Sequence, residues 1–66
     1  MIVVRVAGRE HPIHVDASSV RVSELLEKLG FSISEHIVLR SGIPLTEDDV
    51  VGDGEEVLVY PVKSGG

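Results

Sequence analysis

The chemistry of this 66-residue sequence is concentrated in Gly65 and Gly66. They follow Lys63-Ser64 and an apolar run, Val57-Leu58-Val59-Tyr60-Pro61-Val62. Glycine has no Cβ, so two in a row can lie extended in a channel too narrow for any side chain. Such ends ordinarily fray and carry nothing. Behind a strand, the pair becomes the tip of a short flexible arm, residues 63–66, held out by a rigid body, residues 1–62. The group at the tip is a carboxylate, and this layout is the one required if that carboxyl group itself reacts. Gly66 is then the reacting residue, while Gly65 and the thin Ser64 let the arm thread.

Other residue types point to less. His11 and His14 differ by an odd number along a strand, so they face opposite ways and cannot share an ion. The acidic residues Glu47, Asp48, Asp49, Asp53, Glu55 and Glu56 lack the spacing of a calcium loop and read as a solvated loop. No metal site is expected, with His36 included in the count. No nucleophile–base–acid set, phosphate loop or dinucleotide motif occurs, so the chain does not read as an enzyme. Lys28 and Lys63 are the only lysines. Either amine could accept a second copy of the chain, although plain solvation is the ordinary state of a lysine.

Length and charge bound the setting. Sixty-six residues make one small domain, which buries only about 60% of its unfolded surface. There is no cysteine to staple it, so stability must come from a packed core, and 42% of the residues are hydrophobic. The absence of cysteine fits a reducing compartment. Arg5 interrupts the only N-terminal apolar run, and no stretch approaches the roughly 18 residues of a membrane span. A cytoplasmic monomer with no membrane partner is expected. The net charge of −5, with its six basic residues scattered, argues against direct binding of nucleic acid.

The elements that must hold the arm follow from periodicity. Residues 1–7 alternate as a strand with Ile2, Val4 and Val6 on one side and Val3 and Arg5 on the other. A turn over residues 7–10 leads to a second strand, residues 11–16. Pro12 there lacks a ladder donor and places the strand at a sheet edge. Val22, Leu25, Leu26 and Leu29 form a helix stripe, and Gly30 stands where a left-handed cap belongs. Ser18 and Ser19 are good cap types, but Arg21 occupies the best capping position. Residues 36–41 form a third strand closed by Gly42, and Ile43-Pro44-Leu45 a short extended piece. Residues 46–49 and 52–54 are turns, and residues 56–62 the last strand. In that strand Val57 and Val59 share one face, Leu58 and Tyr60 the other. The helix must bury its leucines on one sheet face, with the first and last strands parallel in the middle. Val3, Leu58 and Tyr60 then share the opposite face. Ile37-Val38-Leu39 is apolar throughout, so alternation assigns neither Val38 nor Leu39 to a side.

This order, the length and the closing diglycine together resemble the ubiquitin-like β-grasp family. The likeness is to its small prokaryotic branch: the small archaeal modifier proteins, the thiazole-pathway sulfur carrier and the small subunit of molybdopterin synthase. It covers the whole chain. Its most specific parts are Gly52-Asp53-Gly54-Glu55-Glu56-Val57 and Pro61-Val62-Lys63-Ser64-Gly65-Gly66, with Val22-Ser23-Glu24-Leu25-Leu26 and Gly42 in support. Arg21 departs from the family's usual threonine or serine cap.

The resemblance implies an α+β fold, a mixed four- to five-stranded sheet with one helix packed on one face. It also implies a carrier or modifier with no bound cofactor, which is the substrate of an ATP-using adenylating enzyme. A terminal carboxylate, with a pKa of about 3.5, is ionised at neutral pH and is a poor electrophile. Adenylation supplies a leaving group. The activated Gly66 then forms a thiocarboxylate for sulfur transfer, in tRNA thiolation or cofactor synthesis, or an isopeptide bond to a target lysine. The partners implied are the activating enzyme and either target proteins or sulfur-transfer enzymes. In this family the sheet face near the tail docks the activating enzyme, which gives Val3, Leu58 and Tyr60 that role. The alternatives are a dedicated sulfur carrier for thiamine or molybdopterin synthesis, and a non-covalent β-grasp module.

Overall fold

Alternation in the opening residues becomes strand β1, Ile2–Val6, with Ile2, Val4 and Val6 buried and Arg5 exposed. The structure, a computed structural model, describes residues 1–62. Strand β2, Ile13–Val15, returns antiparallel, with Val3 opposite His14 and Val4 opposite Ile13. It is shorter than the sequence suggests. Proline has no N–H to offer, and pairing stops at Ile13, just after Pro12.

A strand that periodicity does not reveal comes next: β3, Ser19–Arg21, paired antiparallel with β6, Val50–Gly52. This ribbon changes how the helix begins. Arg21 is the cap residue of α1, Val22–Leu29, and makes no side-chain cap bond; Ser19 lies in the ribbon instead. The first helical donors bond backbone, with Val22 N–H to the Asp49 carbonyl at 2.9 Å and Ser23 N–H to that of Glu47 at 3.1 Å. The turn before β6 therefore takes the place of the missing serine or threonine. The far end is closed as expected. Gly30 adopts φ 83°, its N–H bonds the Glu27 carbonyl and that of Phe31 bonds Leu26 at 2.8 Å, a Schellman closure.

After the 3-10 turn Ile33–Glu35 come β4, His36–Arg40, and β5, Ile43–Leu45. The two residues joining them, Ser41 and Gly42, have φ of 53° and 78°. Positive φ at both central positions is the backbone of the tight hairpin turn that matches strand twist. The last strand, β7, is Glu56–Pro61.

The main sheet has the order β2-β1-β7-β4-β5, with β7 parallel to β1 and antiparallel to β4. One helix covers one face. Leu25 and Leu26 are buried with Ile2, Val4, Val38, Val57 and Val59 from the sheet and Val51 from β6. The fold is the expected β-grasp, with the β3–β6 ribbon added.

Candidate functional site

The uncovered sheet face can be read from the registers. Neighbours across a ladder point the same way, so Arg5 lies beside Leu58, Leu58 beside Leu39, and Tyr60 beside Ile37. Ile37 and Tyr60 are 43% and 42% exposed, although both are large and apolar in body. Leu39 and Leu58 are half-buried. Val38, one residue between, is 1% exposed and belongs to the core. Leu39 thus joins the outer face and Val38 does not.

Val3 shares this face but not the cluster. It stands opposite Glu56, one rung from Leu58. Arg5 Nε donates to Glu56 Oε2 at 2.7 Å along the other diagonal of the same rungs, placing an ion pair between Val3 and Leu58. The apolar patch is therefore Ile37, Leu39, Leu58 and Tyr60, on β4 and β7. Sequence reasoning missed Ile37 and half-missed Leu39. Their signal is available only through pairing: in an antiparallel pair the residues opposite Leu58 and Tyr60 must share their face.

At one end the patch meets a groove of about 320 Å³ lined by Leu39, Ser41, Gly42, Glu56, Val57 and Leu58. At the other end β7 runs out through Pro61 to Val62, whose N–H bonds the Glu35 carbonyl at 2.7 Å. Lys63, Ser64, Gly65 and Gly66 lie outside the described residues. Lys28 is exposed in the last turn of α1, on the side of the sheet away from the patch.

His14 is exposed on β2 and His11 exposed ahead of it, while His36 opens β4 on the side of Phe31. Among the described residues no group of three or more His, Asp or Glu is arranged to hold a metal ion. No helix among them is long and apolar enough to cross a membrane.

No protein-family model matches the chain. A curated protein of Archaeoglobus fulgidus, described as uncharacterized, is 41% identical over 54 residues, spanning 82% of this chain and 79% of that one. Among solved structures, the thiamine biosynthesis protein ThiS of Geobacter metallireducens superposes with a TM-score of 0.64 at 26% identity. The likeness covers 97% of this chain and 96% of that one.

Proposed function

The chain belongs to the same family as the Archaeoglobus fulgidus protein and has the β-grasp fold, and from this premise we propose that it is a ubiquitin-like carrier whose Gly66 carboxyl group is activated and passed on. A Gly66 carboxylate oxygen attacks the α-phosphorus of ATP on an activating enzyme, and pyrophosphate leaves. A nucleophile then attacks the acyl-adenylate carbonyl, and AMP leaves. If hydrosulfide attacks, the product is a thiocarboxylate; if a target lysine amine attacks and loses its proton, it is an isopeptide bond. One carboxyl group serves both outcomes, and the chain acts as modifier, sulfur carrier or both.

The observation that carries this reading is the position of the exposed patch. Ile37, Leu39, Leu58 and Tyr60 lie on the two strands that lead to and brace Val62. A partner seated there is beside the point from which residues 63–66 continue. Apolar surface of this kind, on a domain small enough to need its apolar residues inside, supports the reading of a contact surface there. The likeness to ThiS over nearly the whole chain favours the narrower reading of a sulfur carrier dedicated to one cofactor pathway.

Mass spectrometry on protein from its native cell tests these readings. Intact mass establishes whether Gly66 is the last residue and whether one carboxylate oxygen has become sulfur. Trypsin cuts after Lys63, so each modified target lysine keeps a Ser-Gly-Gly remnant. Remnants on many lysines identify a modifier, and a thiocarboxylate alone identifies a sulfur carrier. Neither product, together with unchanged partner binding after deletion of Gly66, identifies a non-covalent module.

A further inference from the structure

The final backbone attachment of the described chain is made to a segment distant in sequence. Pro61, opposite His36, has no N–H, so the anchoring bond falls to Val62, which donates to Glu35 at 2.7 Å. Glu35 closes the 3-10 turn, and the hub of that turn is the Ser32 carbonyl. It accepts the Glu35 N–H at 3.2 Å and His36 Nδ1 at 2.9 Å. A carbonyl oxygen only accepts, so Nδ1 carries the proton and the imidazole orientation is defined.

The His36 ring also meets an aromatic neighbour. Its centroid is 4.8 Å from that of Phe31, tilted by 45°, and the Arg9 guanidinium carbon lies 5.7 Å from the Phe31 ring centre. Phe31 is itself fixed, by the Schellman bond to Leu26 and by packing against the core. A continuous set of contacts thus runs from the end of α1 through Phe31, His36 and Ser32 to Glu35 and Val62.

We infer that His36 is a positioning residue: by pinning the 3-10 turn that holds Val62, it fixes Val62 on the body, the point from which residues 63–66 continue. The consequence for activation rests on the carrier reading above. Activation needs the partner to meet the body and the carboxyl group at once, so a Val62 that is no longer held adds an ordering cost at the reacting step, and attack geometry is sensitive to such loosening.

The test uses the full-length chain, ¹⁵N-labelled, as wild type, His36→Ala and His36→Asn. Asparagine can place its amide N–H where histidine places Nδ1–H and so restores the bond to Ser32 without the ring. Amide exchange at Val62 should be roughly fivefold faster in His36→Ala, the equivalent of losing one exposed hydrogen bond, and return toward wild type in His36→Asn. ATP–pyrophosphate exchange, with the adenylating enzyme that accepts the wild-type chain, should show a lowered kcat at near-constant KM for His36→Ala, recovering in His36→Asn. Unchanged Val62 exchange in His36→Ala, or no recovery with asparagine, overturns the inference. So does unchanged kcat when the wild type is activated. If the wild type supports no pyrophosphate exchange with any ATP-using fraction of its own cell, the carrier reading fails instead. The Val62 measurement then decides the positioning role by itself.

Discussion

Arg5 and Glu56 form an ion pair at 2.7 Å that crosses between β1 and β7 and separates Val3 from Leu58. Both side chains are about half exposed. Such pairs lose much of their Coulomb energy to water and salt. A double-mutant cycle on Arg5→Ala and Glu56→Ala should give a coupling energy below about 1 kcal/mol, shrinking further in high salt. The pair divides the surface more than it stabilises it.

The same boundary predicts a gradient of effects on partner binding. Leu58→Asp and Tyr60→Asp should raise the KM for activation at least tenfold, because each places a charge inside the patch. Val3→Asp, beyond the ion pair, should have a several-fold smaller effect. Circular dichroism should show all three folded, since none of these side chains belongs to the core. Unfolding of Leu58→Asp, or equal effects at the three positions, would contradict this division.

Core truncation should behave differently. Leu25 is fully buried on the helix, beneath the sheet. Leu25→Ala removes its packing and leaves a cavity, at a cost of about 2–5 kcal/mol. A domain of this size has little more than that in reserve. Urea denaturation should find the variant largely unfolded at 37 °C, with Lys28→Ala, on the exposed side of the same helix, within about 0.5 kcal/mol of wild type.

The hairpin between β4 and β5 carries a local strain. Ser41 is the one non-glycine residue with positive φ among those described. Asparagine accepts that conformation more readily than serine, and a β-branched residue accepts it least. Ser41→Asn should raise stability by about 0.5 kcal/mol, and Ser41→Val should lower it by about 1–2 kcal/mol. Chemical denaturation distinguishes the two, and an unchanged midpoint for Ser41→Val would refute the strain.

Sequence periodicity exposed the parts of the fold whose two faces differ in polarity. The alternation of Ile2, Val4 and Val6 with Val3 and Arg5, the leucine stripe ending at Gly30, and the Val57/Leu58 alternation all correspond to observed faces. The β3–β6 ribbon stayed hidden because each strand has three residues, too few for a period to register. Its role in capping α1 was hidden too, since the acceptors are main-chain carbonyls of Glu47 and Asp49, which no side-chain pattern reports. The outer patch was half legible. Leu58 and Tyr60 stand out against Val57 and Val59, but the uniformly apolar Ile37-Val38-Leu39 needs its register with β7 before its faces separate. The link from His36 to Val62 passes through a carbonyl hub and was not legible at all.

The placement of β7 has a consequence for biogenesis. It is the last of the described strands in chain order and the central strand of the five. Until residues 56–61 exist, β2-β1 and β4-β5 are two hairpins with no shared ladder, and two-stranded pieces alone are barely stable in water. The joining contacts, Val4 with Val57 and Val6 with Val59, span more than fifty residues of chain, so assembly waits on long-range closure. An unfinished polypeptide therefore has no finished surface for a partner to read.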